Sequence, residues 1–332
     1  MTDGLPDGAS AVLEGGALCY LAVRTSAGPH VTPAVYALES GRLWLTTSRR
    51  SVKARAWQRD ESVSGLVSTA DAGVIFRGRI RSYDALDPLS WPIGAGSALR
   101  VARAAARFSA KNVRFFAGYA RDAGRVPLSW SPPARVFAAV EPVAGKLLRG
   151  DHVTAGWGRW ATGAAFSASF DPLPRRKGLD LKVPRPVSEG VGTSGFGALA
   201  LESGEALTVL PVRWRRVGAE GTYDAVLPTD VLKLAAVSGR ARAALVVDRA
   251  SAWRAAEMIG MLLQCEAEFF MPSATTGGRD QLRRRISRSW PEARRFDDAD
   301  RSLALVRLLP QRIVWWEGWA SGTVALVRRG GR

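Results

Sequence analysis

The sequence predicts a mainly β protein of the α+β class, built from two similar β-barrel units in tandem with helical insertions. The two units are expected to pack together as a pseudo-dimer within one chain. Short β-rich runs separated by turn signals predict the strands, and a set of these runs recurs in the second half of the chain. The length of 332 residues also suffices for about two domains that each bury a core.

The first half of the chain predicts six strands and two helices. The strands are expected at Leu18–Thr25, Val31–Leu38, Leu43–Thr47, Val63–Ser68, Val74–Ser82, and Arg135–Val140 followed by Leu147. Glu39, Ser40 and Gly41 predict a tight hairpin between the second and third strands. A short helix is expected from Arg49 to Asp60. A long helix is expected from Ala98 to about Ala120, because apolar residues there recur on one face: Leu99, Val101, Ala105, Phe108, Val113 and Phe116.

The composition changes after the last of these strands. Residues 150–196 alternate prolines with arginines and lysines, which predicts an irregular connector after one more strand near Trp157 and Trp160. We therefore expect a first barrel domain over residues 1–149, this connector over 150–196, and a second, degenerate barrel domain over 197–332.

Residues of the first unit recur in the same order in the second. Pro33 aligns with Pro211 at an offset of 178, whereas Lys53 aligns with Lys233 at an offset of 180. The difference implies a two-residue insertion in the hairpin. The other aligned segments are Val31–Val35 with Val209–Arg213, Val63–Ser68 with Ala243–Asp248, Phe76–Ile80 with Leu263–Ala267, and Val140–Pro142 with Leu308–Pro310. Colinear recurrence of this kind predicts two copies of one unit.

Charge and composition limit the classes of function. The net charge of +17 predicts affinity for anions such as phosphorylated cofactors, acidic substrates or nucleic acid. The two cysteines, Cys19 and Cys265, cannot form a paired CxxC metal site or a disulfide framework. The chain starts without a basic, apolar leader, and its apolar runs are shorter than the ~18–20 residues of a membrane span. We therefore expect a soluble cytoplasmic protein with no membrane partner.

The segment from Thr46 to Arg55 is the main candidate binding site. It leads from a predicted strand into a short helix, with hydroxyl groups and with four cations between Arg49 and Arg55. Backbone N–H groups at a helix start favour an anion, and Lys and Arg side chains add charge-assisted hydrogen bonds. A solvated basic helix start remains the alternative interpretation.

Four segments together resemble a known superfamily. Ala22–Pro33, Leu45–Arg55, Asp60–Ser64 and Arg77–Arg79 are similar to the pyridoxamine 5′-phosphate oxidase-like proteins, the flavin- and deazaflavin-binding split β-barrels. The resemblance covers about residues 15–145 and, more weakly, 197–320. It implies two split barrels and a cofactor that is FMN or, alternatively, the deazaflavin coenzyme F420.

The resemblance also implies a set of cofactor-binding residues. Ser51, Lys53 and Arg55 would bind the cofactor phosphate, and two strands would lie along the flavin ring. The wall that a partner subunit supplies in the family would come here from the second unit, with candidates Arg213, Trp214, Trp315 and Trp316. The cofactor-binding residues expected are Val31, Thr32, Pro33, Thr46, Thr47, Arg49, Arg50, Ser51, Lys53, Arg55, Trp315 and Trp316.

The two units are expected to differ in their ability to bind the cofactor phosphate. Lys53 is matched by Lys233, but the neighbouring residues Arg49, Arg50, Ser51 and Arg55 are matched by Thr229, Asp230, Val231 and Ala235. Cys265 also stands where the first unit has Gly78. The second unit therefore lacks most of the phosphate-binding charge, and we predict one cofactor site per chain.

These observations predict an FMN- or F420-dependent oxidoreductase that moves a hydride to or from a small organic substrate. No catalytic residue is identified, and Tyr36 and Thr47 are only guesses for acid–base roles. A non-catalytic cofactor-binding protein, including a heme-binding one, is the alternative. A third class is a nucleic-acid-binding protein, in which the arginines between Arg279 and Arg295 would contact phosphates and Trp290 would stack on bases. A monomer and a homodimer are both compatible with the sequence.

Four smaller features receive structural interpretations. His30 and His152 are expected at the surface, and with two cysteines they are too scattered for a zinc site. Cys265 is expected to be a small buried hydrophobic residue rather than a nucleophile. Gly195-Phe196-Gly197 lacks the third glycine of a dinucleotide-binding fingerprint.

Overall fold

The computed structural model describes fifteen stretches or single positions of the chain. They are residues 5–84, 86–87, 91, 95–128, 134–150, 152–160, 182–217, 221–237, 240–249, 254–271, 282, 284, 286–287, 290 and 303–325. The middle of the predicted connector and most of the segment from Arg279 to Arg295 lie outside these residues. Among the described residues, no helix combines the length and apolar character needed to cross a membrane.

Seven antiparallel strands form the sheet of the first barrel. They are β1 (Leu18–Thr25), β2 (Gly28–Glu39), β3 (Arg42–Ser48), β4 (Ser62–Ser68), β5 (Ala72–Asp84), β6 (Arg135–Arg149) and β7 (His152–Trp157). They follow the order β3-β2-β1-β4-β5-β6-β7, and an additional β3–β6 pairing closes the first six into a barrel. The predicted hairpin after β2 is confirmed, because Ser40 and Gly41 both adopt positive φ angles, of 52° and 71°.

The second barrel repeats this topology. Its strands are β8 (Ser194–Ser203), β9 (Ala206–Val217), β10 (Thr222–Pro228), β11 (Arg240–Arg249), β12 (Ile259–Phe270), β13 (Leu303–Glu317) and β14 (Ala320–Ala325). They follow the order β10-β9-β8-β11-β12-β13-β14, closed by β10–β13. The predicted fold class, two tandem barrels with a few helices, is thereby confirmed.

A shared β-bulge supports the alignment of the two units. The pairing of β5 with β6 shifts register between Arg77 and Gly78, where Gly78 pairs with Pro142. The pairing of β12 with β13 shifts between Gln264 and Cys265, where Cys265 pairs with Pro310. Proline has no N–H to continue the ladder, which favours a bulge at this point. The predicted matches of Gly78 with Cys265 and of Pro142 with Pro310 are therefore also structural matches.

Six α-helices with defined bounds accompany the strands within the described residues. They are α1 (Asp7–Gly15), α2 (Val52–Trp57), α3 (Ala95–Lys111), α4 (Val113–Arg121), α5 (Arg185–Val191) and α6 (Thr229–Lys233). The helix α1 was not predicted from the sequence. The connector was predicted to be irregular after its strand, whereas α5 lies within it.

The prediction of one long helix over residues 98–120 is wrong, since this segment forms the two helices α3 and α4. Asn112 interrupts it with non-helical angles, φ −106° and ψ 22°. Its side-chain Nδ2 donates to the carbonyls of Phe108 and Tyr36, at 2.9 and 3.3 Å, so it ties the break to β2. The predicted apolar face is also shifted, because Leu99 and Val113 are more than 60% exposed while Phe115 is buried.

Apolar contacts join the barrels directly. The interior of the first barrel includes Leu21, Leu43 and Phe76. A second cluster combines the interior of the second barrel with outward-facing residues of the first: Ala22, Val31, Leu66, Ile75 and Leu148. The amide of Val209 donates to Ser64 Oγ across the junction, at 3.2 Å. The predicted intrachain pseudo-dimer is thus confirmed.

Candidate functional site

A cavity of ≈ 390 Å³ lies between the two barrels. The first barrel contributes β2, β3 and the start of α2, together with Phe115 and Tyr119 of α4. The second contributes the end of β13, the start of β14, and Ala255 and Met258 from the turn between β11 and β12. Both walls of the cavity therefore come from one chain.

The cavity lies where β2 and β3 separate. These strands pair over four residue pairs only, from Glu39 with Arg42 to Tyr36 with Leu45. Beyond that point β2 stays paired with β1, and β3 stays paired with β6. The gap between them exposes Thr32, Pro33, Thr46 and Thr47 to the cavity, and all four were predicted to bind cofactor.

Among the described residues, three cations line the cavity, namely Arg50, Lys53 and Arg135, and no carboxylate lines it. Lys53 is 7% exposed, and within the described chain it has no ion pair. Burial lowers the pKa of Lys53 to about 8, with Arg135 acting in the same direction. This concentration of uncompensated positive charge favours an anionic ligand.

Arg135 was not predicted from the sequence. Its Nε donates to Thr46 Oγ1 at 3.1 Å and its Nη2 to the Thr46 carbonyl at 3.0 Å. A third, longer hydrogen bond of 3.5 Å joins Nη1 to the hydroxyl of Tyr119. The guanidinium is therefore held rigidly against β3. Its position at the first residue of the closing strand, beside the end of β3, is the only signal that could have indicated its role.

The hydroxyl groups organise the start of α2. Ser51 Oγ accepts a hydrogen bond from the amide of Ala54 at 3.0 Å and another from Thr47 Oγ1 at 3.1 Å. Ser51 is therefore the N-cap that begins the helix. The same residue lines the cavity, so the cap places Ser51 and Lys53 on the cavity wall.

Three predicted cofactor-binding residues do not line the cavity. Arg49 pairs instead with the carboxylate of Asp84. Arg55 is exposed, because residues two positions apart on a helix face different sides and Lys53 occupies the cavity side. Val31 is fully buried in the cluster that joins the barrels.

The opposite wall is aromatic. Trp315 and Trp316 line the cavity as predicted. Their rings fit closely over glycines, since a Cβ at Gly322 would lie 2.5 Å from Trp315 and one at Gly260 would lie 2.5 Å from Trp316. Trp214 does not contribute, because it is buried in the second barrel and its indole N–H donates to the Phe196 carbonyl at 3.1 Å.

His30 is the main residue that sequence analysis misjudged. It was expected at the surface, but it is 9% exposed and lines the cavity. Burial lowers the pKa of His30 to about 3, and Lys53 and Arg312 act in the same direction. The imidazole is therefore neutral at physiological pH.

Other candidates have structural roles or lie elsewhere. Tyr36 is buried inside the first barrel, where its hydroxyl donates to the Leu13 carbonyl at 2.5 Å. Cys265 is buried, and burial raises the pKa of its thiol. His152 is exposed on β7. In the described part of the chain, no group of three or more His, Cys, Asp or Glu residues could hold a metal ion.

The nucleic-acid hypothesis rests mostly on residues outside the described chain. Within it, Trp290 is 7% exposed and packs with Leu282 and Ile286. Its ring is therefore not presented for stacking on a base.

A second cavity of ≈ 380 Å³ occupies the equivalent place in the other half. It includes Arg213, which had been a candidate for the first cavity, and Asp71. The register of the closing strands aligns Arg135 with Leu303, because these residues pair with Ser48 and Pro228 respectively. The polar residues Thr46, Thr47, Ser51 and Arg135 are replaced there by Val226, Leu227, Val231 and Leu303. Lys233 is exposed and does not line it.

Comparisons with known proteins give similarities of fold. No protein-family model and no curated protein matches the sequence. A FAD-binding protein from Mesorhizobium loti is 19% identical, with 42% of this chain and 90% of that one covered and a TM-score of 0.30. An F420 reductase is 21% identical, with 42% and 98% covered and a TM-score of 0.29.

A third solved structure comes from Clostridium acetobutylicum. It is related to a general stress protein of the pyridoxinephosphate oxidase family and is 10% identical, with 45% and 90% covered and a TM-score of 0.30. The two closed six-stranded barrels are consistent with the tandem split barrels expected from the sequence. No residue of this chain takes a role from these likenesses.

Proposed function

We propose that this protein is an oxidoreductase that uses FMN or, alternatively, coenzyme F420, bound in the cavity between the barrels at one site per chain. The main support is the distribution of charge in that cavity. Three cations and several hydroxyl groups occupy one wall and two tryptophans occupy the other, and no carboxylate from the described part of the chain lines the cavity. A phosphorylated aromatic molecule matches both walls.

The residues present fit such a cofactor. The volume of ≈ 390 Å³ lies within the roughly 300–1,000 Å³ of small-molecule sites. Lys53, Arg50 and Arg135 would hold the anionic group, since each can donate charge-assisted hydrogen bonds to phosphate. On the opposite wall, Trp315 and Trp316 supply aromatic surface against which a ring could pack.

The positions of these residues suggest separate roles for the cofactor and for the protein chain. The bound flavin or deazaflavin ring would supply the hydride chemistry. The chain binds the anionic group through Lys53 and its neighbours, orients the ring between β2, β3 and the tryptophans, and excludes water with the apolar side chains of Phe115, Met258 and Val314. The substrate would be a small organic molecule that approaches the ring.

Binding measurements test this proposal directly. The purified protein is examined for absorbance and then titrated with FMN and, separately, F420, following the fluorescence of each. We expect saturable binding of at least one of them. A Soret band would favour the heme-binding alternative, and binding with no reduction by any hydride donor would favour a non-catalytic binding protein. No binding of either cofactor would contradict the proposal.

A further inference from the structure

His30 has an unusual environment for a buried histidine. It lies on β2, is 9% exposed, and lines the cavity. Within the described chain, its imidazole has no hydrogen-bond or ion-pair partner. A neutral imidazole has one N–H donor and one acceptor nitrogen. His30 can therefore form a hydrogen bond with a molecule bound in the cavity that it lines.

In the second barrel, the residue equivalent to His30 has a hydrogen-bond partner. Thr208 is the equivalent of His30, and Arg77 Nη2 of the first barrel donates to Thr208 Oγ1 at 2.7 Å. The equivalent of Arg77 is Gln264, since both residues precede the shared bulge. Gln264 does not contact His30 in this way; its Nε2 donates to the Pro29 carbonyl at 3.0 Å. The cross-barrel hydrogen bond therefore reaches the side chain of Thr208 in one half, whereas in the half with the cationic wall it reaches the backbone beside His30 and leaves the imidazole without a partner in the described chain.

We propose that His30 contacts the bound cofactor, with its imidazole N–H donating a hydrogen bond to an oxygen atom of the ligand. This inference rests on the proposed function, and it adds a residue that was not among the cofactor-binding residues expected from the sequence. Burial lowers the pKa of His30, and the nearby Lys53 and Arg312 act in the same direction, so the imidazole stays neutral. No carboxylate of the described residues lines the cavity, and these positive surroundings favour an electron-rich acceptor opposite the N–H.

The two histidines of the chain allow a direct test without mutation. His30 lines the cavity, whereas His152 is exposed on β7. Protein labelled with ¹⁵N-histidine is titrated with FMN and with F420, and the imidazole resonances are followed by NMR. The His30 ring signals should shift in proportion to cofactor binding, while the His152 signals serve as the internal reference and stay in place.

Two substitutions test the hydrogen bond itself. His30→Phe removes the donor, and we expect FMN binding to weaken by about 3- to 10-fold, the range for a hydrogen bond of ordinary strength. His30→Gln keeps an N–H donor and should recover part of this loss. His152→Phe is the matched control and should bind as the unsubstituted protein does.

The outcomes separate this inference from the proposed function. Cofactor binding with unmoved His30 signals, or with unchanged affinity in His30→Phe, overturns the role of His30 and leaves the proposed function standing. Failure of the unsubstituted protein to bind either FMN or F420 overturns the proposed function, and the role of His30 with it. Shifted His30 signals and weaker binding by His30→Phe support both.

Discussion

Lys53 is the single residue on which affinity for an anionic cofactor should depend most, because it is buried in the cavity wall without an acidic partner in the described chain. A hydrogen bond from a charged donor contributes about 1.5–3 kcal/mol. Lys53→Ala should therefore weaken FMN binding by about 10- to 100-fold in a fluorescence titration.

Two other basic residues provide controls for this prediction. Arg55 is exposed two positions further along α2, and Lys233 is the exposed counterpart of Lys53 in the second barrel. Arg55→Ala and Lys233→Ala should each leave the affinity within about twofold. Equal losses from Lys53→Ala and Lys233→Ala would mean that the second half also binds cofactor.

The charge of Lys53 should make binding depend on pH. Its pKa is lowered to about 8 by burial, whereas a phosphate monoester is fully charged above its second pKa of about 6. As pH rises from 7 to 9, Lys53 loses its proton and FMN affinity should fall by up to about tenfold. Affinity measured across this range tests the expectation. Lys53→Met should bind weakly with little pH dependence, and Lys53→Arg should remove the dependence because arginine stays charged.

At the level of secondary-structure elements, a hydrogen bond between two side chains joins β1 of the first barrel to β11 of the second. Tyr20 on β1 donates to Asp248 Oδ1 on β11 at 3.1 Å, and Asp248 Oδ2 is buried without a partner in the described chain. Burial raises the pKa of Asp248 to about 6, so its carboxyl group is charged at pH 7.5 and mostly neutral at pH 5. The hydrogen bond from Tyr20 therefore stabilises the folded protein more at pH 7.5 than at pH 5.

Tyr20→Phe should therefore destabilise the protein in a pH-dependent way. We expect the free energy of unfolding to fall by about 1–3 kcal/mol at pH 7.5, because a buried carboxylate loses its partner. The loss should be smaller at pH 5. Urea unfolding at both values measures it, with Tyr83→Phe as the control, since the Tyr83 hydroxyl has no hydrogen bond in the described chain. A loss that is larger at pH 5 would contradict the assignment.

The molecule as a whole should bind one cofactor per chain without needing a second chain. Both walls of the first cavity come from the same chain, and the second cavity has apolar residues where the first has Thr47, Ser51 and Arg135. Calorimetric titration with FMN should give a stoichiometry near one. The stoichiometry and affinity should stay constant as protein concentration changes, with light scattering recording the oligomeric state. Two cofactors per chain, or binding that requires self-association, would contradict this prediction.

The sequence by itself determined the strands, the repeat and the position of the cationic segment. These features depend on local patterns: alternating β-rich runs, the hairpin at Ser40 and Gly41, and the hydroxyl and basic residues between Thr46 and Arg55. The repeat was visible because Pro33, Lys53 and Pro142 recur in order with Pro211, Lys233 and Pro310. The break at Asn112 was missed, since it depends on a hydrogen bond to Tyr36, 76 positions away.

Only the tertiary structure decided which of the candidate side chains meet. Arg49 was predicted to bind the cofactor, but it pairs with Asp84, which lies 35 positions away. Arg135 was not predicted, and its hydrogen bonds to Thr46, 89 positions away, hold it at the cavity. His30 became a cavity residue because β2 separates from β3 where the second barrel packs against it. The direction in which a side chain points depends on partners far along the chain, and the residue pattern around that side chain does not specify those partners.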